Sequence, residues 1–436
     1  MVTSPTVSPH AARSLFPILL INFIGTLGYS IVLPFMVVVV LKLGGNEIMY
    51  GILSATYSFF QLIGAPILGA WSDRVGRKKI LLLSSAGTLV GWGVFIIALL
   101  WHGTKASWPL FSGMVIFNIP LLILFFARAI DGITGGNVSV ANAYLADISI
   151  KHERKKNFGR MSASANLGLI FGPVLAGVLG TTALGYILPV AAAALISLIA
   201  IVVIALRLHN VVPADIPGVI DPHSGKLPGQ DQKECYHLTD ADLPKKVSVF
   251  KLPNVTYFIV LYFLIFLAFN FFYVAFPVFV AQQLRWSVLQ LGIFFSFLSA
   301  LLVVVQGPVL SWLSGKVSSA ALVIVGCLLL AVCFSLFRSS QVVVIYTGAV
   351  FFAVGNGLMW PSFLAILSNI VDDKYQGVVQ GYASSSGSLA SIAGLLLGAF
   401  LYKALGVNIF LIATALMVLI AVVSWPLFAI DKKNTA

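Results

Sequence analysis

The chain has 436 residues, 59% hydrophobic and 9% charged, with a mean hydropathy of +1.02. Soluble chains are about 25% charged, so the composition excludes a soluble enzyme, a secreted disulfide scaffold and a disordered protein. It leaves a polytopic membrane protein whose outer surface is solvated by lipid. The net charge is +12, from 26 basic and 14 acidic residues, and its placement decides its meaning. Cys235, Cys327, Cys333 and six scattered histidines form no ligand spacing, so no metal, cofactor or redox chemistry is expected.

A bilayer core about 30 Å thick needs about 20 apolar residues per helix. Twelve stretches qualify: 15–41, 51–71, 80–101, 121–148, 157–180, 184–208, 255–283, 289–313, 319–337, 342–371, 377–402 and 406–430. The first is too long for a signal peptide and lacks a small-residue cleavage site, so it is read as a retained helix. The apolar stretch around 102–120 is read as an outer-side extension or short interfacial helix. A thirteenth span there would invert every later loop.

With both termini on one side, the loops on that side hold 20 of the 26 basic residues, against five opposite and Arg128 within a span. The positive-inside bias makes both termini cytoplasmic. It accounts for the basic excess without nucleic acid; the expected partners are the bilayer and a small molecule. Residues 209–253 carry Pro213, Pro217, Pro222, Pro228, Pro244 and six acids, the composition of a cytoplasmic linker. The expected organisation is therefore 1–208, a linker at 209–253, and 254–436.

The two parts repeat each other. Pro66-Ile67-Leu68 with Ser72 and Arg74 matches Pro308-Val309-Leu310 with Ser314 and Lys316, at an offset of 242. Pro34 matches Pro277, and Gly159, Ser162, Ser164, Leu167, Ile170 and Gly172 match Gly381, Ser384, Ser386, Leu389, Ile392 and Gly394 at an offset of 222. Ordered matches of this kind indicate parallel six-helix repeats, with the extra residues of the first near 102–120.

Four segments carry polar or small residues where a membrane helix would ordinarily be apolar. The first span reads Gly25-Thr-Leu-Gly28-Tyr29-Ser30, ending at Pro34. The second loop reads Gly69, Asp73, Arg74, Gly76, Arg77, Lys78, Lys79. Asp73 can face a helix N-terminus, where an anion is favoured, Gly69 can permit close helix contact, and Arg77 can pair with Asp147. Together these form a cytoplasmic latch. The fourth span holds Arg128 and Asp131 at i, i+3, one helix face, and each charge costs about 2.5 kcal/mol or more in a membrane. Protonation of Asp131 would release Arg128; the alternative is a structural ion pair at the outer mouth. The fifth span reads Gly168, Gly172, Pro173, Ala176, Gly177, which allows tight packing and a bend.

The second loop resembles the GxxxD(R/K)xGR(R/K) loop of the major facilitator superfamily. The fifth span resembles the GxxxGPxxGG segment of its drug–proton antiporters, with Ala176 in place of a glycine. The first and fourth spans resemble those of tetracycline exporters, with Gly25 where those carry an aspartate and Ser30 where they carry a glycine. The resemblance implies an all-α major facilitator fold of twelve transmembrane helices in two pseudo-symmetric halves. It also implies a non-enzymatic secondary transporter, functional as a monomer, with the proton as coupling ion and Asp131 and Arg128 as coupling residues. In that superfamily the first, fourth, seventh and tenth helices line the cavity. The candidate lining residues are therefore Asn22, Tyr29, Asn137, Asn142, Asn270, Tyr273, Asn356 and Trp360, with Gln306 in the eighth span. The phenylalanine run from Phe269 to Phe279 reads as lipid-facing bulk. One charged pair among amides and aromatics suits an amphipathic organic molecule or drug. The expectation is proton-coupled efflux by alternating access across a bacterial inner membrane. The alternative is proton symport or facilitated uptake of a metabolite or siderophore-like compound, with a lipid flippase as a third reading.

Overall fold

The computed structural model describes residues 15–32, 34–101, 106–110, 113–135, 137–149, 154–208, 254–313, 316–370 and 373–435. The linker expected at 209–253 lies outside them. The helices are α1 (Leu15–Val32), α2 (Met36–Lys42), α3 (Glu47–Val75), α4 (Arg77–Leu100), α5 (Ile119–Thr134), α6 (Asn137–Ile148), α7 (Arg154–Gly180) and α8 (Ile187–Arg207). They continue with α9 (Val255–Gln282), α10 (Val288–Val304), α11 (Leu310–Leu313), α12 (Ser319–Leu336), α13 (Val342–Asn369), α14 (Asp373–Leu405), α15 (Ile409–Val423) and α16 (Leu427–Thr435). A π-helical segment, Val305–Val309, joins α10 to α11.

Ten helices among the described residues are long and apolar enough to cross a membrane. One of them, Gly381–Val423, is interrupted by the 3-10 turn Gly406–Asn408 and makes two passes, and α5 with α6 supplies another, giving twelve. The described residues are helical apart from short connections and one small addition. Residues Ala106–Leu110 (β1) and Gly113–Phe117 (β2) form an antiparallel hairpin, in register from Ala106 with Phe117 to Leu110 with Gly113. This corrects the interfacial helix expected there. Pro109 disfavours a helix by removing a backbone donor, and the β-branched pair Val115-Ile116 fits a strand.

The described residues fall into two compact units. The first gathers those within Met1–Val32, Phe60–Gly172 and Leu184–Lys245; the second gathers those within Leu33–Phe59, Pro173–Ala183 and Lys246–Ala436. The first part of α3 and the end of α7 thus belong with the second unit, a division different from a cut at the linker. Small residues are the cause. A Cβ on Gly51 of α3 would lie 2.8 Å from the Leu395 carbonyl of α14, and one on Gly177 of α7 would lie 2.7 Å from Leu289 Cα of α10. Only glycine lets the backbones come so close.

The first unit is cored at one end by Ile18, Leu68, Ile80, Leu81, Tyr144, Leu145, Met161 and Ile204, from α1, α3, α4, α6, α7 and α8. The second is cored by phenylalanine. Phe272 of α9 packs on Phe276, Phe337 and Phe352, with ring centroids 5.2, 5.2 and 5.0 Å away, and Phe276 stacks on Phe294 at 4.6 Å. Phe271, Phe272, Phe276 and Phe279 are all buried. The run expected to face lipid is therefore the interior of this unit, because α9 is enclosed by α10, α12, α13 and α15. Large apolar side chains such as Leu206, Val343 and Trp425 are instead the exposed ones. At the last helix, the Asp431 carboxylate accepts the Ala320 N–H (3.1 Å) and caps α12.

The repeat is visible in the packing. A Cβ on Gly172 of α7 would lie 2.9 Å from the Leu27 carbonyl of α1, and one on Gly394 of α14 would lie 3.1 Å from the Leu267 carbonyl of α9. These are matched glycines packing on the matched helices. Gly172→Val and Gly394→Val are each expected to lower the melting temperature in detergent by more than about 5 °C through overpacking. Gly93→Val, where a Cβ meets nothing within 4 Å, serves as the comparison and should lose less than half as much. Equal losses in thermal-shift assays would contradict this account.

Candidate functional site

Polar side chains inside the first unit converge on α5. Arg128 Nη1 donates to Asp131 Oδ2 at 3.1 Å, one turn apart on the helix, and both residues are over nine-tenths buried. The Thr88 hydroxyl of α4 lies in hydrogen-bonding range of the Asp131 carboxyl, and Tyr29 of α1 is close enough to feel both charges. Gly91, one turn beyond Thr88, lets α4 approach: its Cβ would stand 3.3 Å from that of Asp131. The pair is thus walled by α1, α4 and α5.

The break after α5 is also accounted for. A helix end inside a membrane leaves carbonyls that need donors. The Ser84 hydroxyl donates to the Thr134 carbonyl, and Gln61 Nε2 of α3 donates to the Gly135 carbonyl at 3.3 Å. Gly64 and Gly87 admit this end of α5 between α3 and α4: a Cβ on Gly64 would lie 2.7 Å from the Ile133 carbonyl carbon. Thr88, Gly91, Ser84 and Gln61 were missed in the sequence reading. Their signal was the run Ser84, Ser85, Gly87, Thr88, Gly91, small and polar in an otherwise apolar helix.

The loop between α3 and α4 is a compact turn. Gly76 adopts φ 101°, a left-handed conformation that favours glycine, and α4 begins directly after it. Arg77 Nε donates to Asp147 Oδ2 of α6 at 2.9 Å and Arg77 Nη1 to the Ser72 hydroxyl at 2.6 Å. Lys78 Nζ donates to the Ala205 carbonyl of α8 at 2.7 Å, and Arg74 is exposed. Among the described residues a Cβ on Gly69 would meet nothing within 4 Å, and the Gly69 carbonyl accepts the Ser72 hydroxyl. The Asp73 side chain, with its expected helix N-terminus, lies outside the described residues, as does that of Asn137.

Along α7, Gly168 faces α1, where a Cβ would lie 2.8 Å from the Leu27 amide nitrogen. Ser30 donates to the Gly168 carbonyl at 2.9 Å, so the serine that stands in a glycine position bridges the two helices. Pro173 lies inside α7, and its carbonyl meets Gly292 of α10.

Two candidate lining residues use their amide donors between helices. Asn22 spends its amide donors on the Met161 carbonyl (2.8 Å) and the Ser164 hydroxyl (2.9 Å) of α7. Asn270 spends its donors on the Phe266 carbonyl (2.8 Å) and the Ser391 hydroxyl (3.1 Å) of α14. Tyr29 and Tyr273 are exposed, and Asn142, Asn356, Trp360 and Gln306 are half-buried.

The sequence profile of the Major Facilitator Superfamily matches residues 18–337 and again 258–436. The chain is 27% identical to the class C tetracycline resistance protein of Escherichia coli, over 81% of this chain and 80% of that protein. It is also 27% identical to multidrug resistance protein 2 of Bacillus subtilis, over 91% and 90%. Among solved structures, the D-xylose-proton symporter superposes with a TM-score of 0.72 at 17% identity, over 94% of this chain and 97% of that one. That likeness concerns the fold alone.

The Arg77–Asp147 pair makes a separate prediction. Arg77→Ala and Asp147→Ala should each lower thermal stability, and the double variant should lose less than their sum, with a coupling of about 1–3 kcal/mol. Strict additivity in a double-mutant cycle would show that the pair contributes nothing.

Proposed function

The chain belongs to the major facilitator superfamily and is a secondary transporter, and from that premise we propose that it is a proton-coupled exporter of amphipathic organic small molecules. In this reading it spans a bacterial plasma membrane with both termini cytoplasmic. The observation that carries the proposal is the Arg128–Asp131 pair, buried in α5 beside Thr88 and Tyr29. A charged pair this deep is costly to break: removing one partner of such a pair costs about 3–5 kcal/mol. A proton on Asp131 removes the negative charge and frees Arg128 from it, so protonation state and local packing are tied together. Substrate leaving and proton entering then alternate at one site exposed to one side at a time.

The energetics are sufficient. One proton moving down a potential of about 100 mV supplies about 2.3 kcal/mol, and each pH unit supplies about 1.4 kcal/mol. The sum supports a gradient of a neutral solute of roughly a few hundredfold. The relatives named for tetracycline and multidrug resistance support export over uptake, and the uncharged aromatic and amide side chains of the second unit support an organic substrate over a sugar.

The test is transport into proteoliposomes under an imposed pH gradient, with tetracycline and ethidium as probes and an entrapped pH dye reporting protons. The wild type should accumulate a probe against proton flow. Asp131→Asn should lose gradient-driven accumulation by more than about tenfold and retain gradient-independent exchange within about threefold. Probe and protons moving in the same direction would replace export with symport, and unchanged accumulation in Asp131→Asn would remove Asp131 from coupling.

A further inference from the structure

The second unit contains an aromatic corner outside its phenylalanine core. Tyr262 and Phe266 of α9 are one turn apart, with rings nearly parallel (8°) and centroids 4.9 Å apart. Trp360 of α13 meets both edge-on, at 74° and 5.1 Å from Tyr262 and at 68° and 5.3 Å from Phe266. The corner is braced. Phe363, fully buried, stacks on Trp360 at 6.0 Å and 19°. Gly387 of α14 lies so close to Tyr262 that a Cβ there would stand 2.5 Å from its ring. Tyr262, Phe266 and Trp360 themselves remain only half-buried.

Unused hydrogen-bonding groups accompany these rings on α13 and on the segment packed against Gly357. Asn356 lies one turn from Trp360 on the same face of α13, at the middle of the span Val342–Ser368. Its amide, the Trp360 indole N–H and the Tyr262 hydroxyl have no hydrogen-bond partner among the described residues, and none is sealed from solvent. Gln306 of α10's π-helical extension is in the same condition, and its Cγ lies 3.7 Å from where a Cβ on the neighbouring Gly357 would be. Asn22 and Asn270, the other amides of the first and seventh passes, are fully engaged. Unpaired amides at membrane depth are costly unless they line a wet or ligand-filled cavity, and π-segments concentrate at functional sites. The charged residues of this unit described by the structure, such as Arg285, Lys316, Arg338 and Lys403, stand at or near helix ends, away from the corner.

We infer that Tyr262, Phe266 and Trp360 form a binding subsite for a planar, conjugated ring system, whose polar edge is hydrogen-bonded by Asn356 and Gln306. This rests on the export of organic molecules proposed above and names the substrate class: flat, multi-ring molecules with donors and acceptors on one edge. Offset stacking needs a flat partner, which the rigid corner selects. The absence of a formal charge at the corner leaves recognition to shape and hydrogen bonds.

The test is equilibrium binding to the purified full chain in detergent, with tetracycline and ethidium as planar probes and tetraphenylphosphonium as a non-planar one. Trp360→Ala and Tyr262→Leu should each raise Kd for both planar probes by about tenfold or more and change that for tetraphenylphosphonium by less than about threefold. Asn356→Leu should weaken tetracycline, which has an oxygen-rich edge, more than ethidium. Trp360→Phe, which keeps a flat ring, should fall between Trp360→Ala and the wild type and serves if Trp360→Ala does not fold. Unchanged Kd for planar probes in all of these variants overturns the subsite, whether or not export is intact. A wild type that binds neither planar probe overturns it as well. Weakened planar binding in a protein that does not export against a proton gradient would keep the subsite and sink the export reading.

Discussion

A carboxylate and a guanidinium 3.1 Å apart inside an apolar helix bundle are the constraint on which the first unit is organised. Neither charge is tolerable alone at that depth, so each holds the other. Holding them requires that α1 and α4 come close enough to supply Tyr29 and Thr88, and that α4 carry no bulk at Gly91. The same need explains the polar run on α4. Ser84 and Gln61 take up the carbonyls freed where α5 ends, leaving that end satisfied within the membrane.

Backbone proximity is the second organising element, and it is distributed by glycine. Gly168 and Gly172 seat α7 on α1, and Gly394 seats α14 on α9. Two amides reinforce these contacts: Asn22 reaches from α1 to α7 and Asn270 from α9 to α14. Hydrocarbon solvates apolar side chains well, so helix association in lipid depends on such close packing and on interhelical hydrogen bonds. Asn22 and Asn270 contribute to that association through their amide N–H groups.

The two units divide their polar chemistry unequally. The first holds its charges in a closed pair. The second holds no charge among its described mid-membrane residues, only aromatic faces and the unengaged groups of Tyr262, Gln306, Asn356 and Trp360. A transporter that couples a proton to an organic solute needs both kinds of surface, one that titrates and one that recognises shape.

Composition, hydropathy and basic-residue placement determined the class of this protein from sequence alone: a twelve-pass bundle with an internal repeat and a charged pair at i, i+3. Those features depend on local periodicity and on the cost of charge in lipid, which act residue by residue. The Arg77–Asp147 pairing was legible for the same reason, since opposite charges at two helix ends on one side have few other partners. Only the tertiary structure decided that the phenylalanines from Phe269 to Phe279 are interior, that Asn22 and Asn270 bond across helices, that 106–117 is a hairpin, and that Thr88 faces Asp131. Each depends on which helix stands opposite, and in a chain apolar on nearly every helix face, hydropathy does not distinguish the face turned to lipid from the face turned to a neighbour.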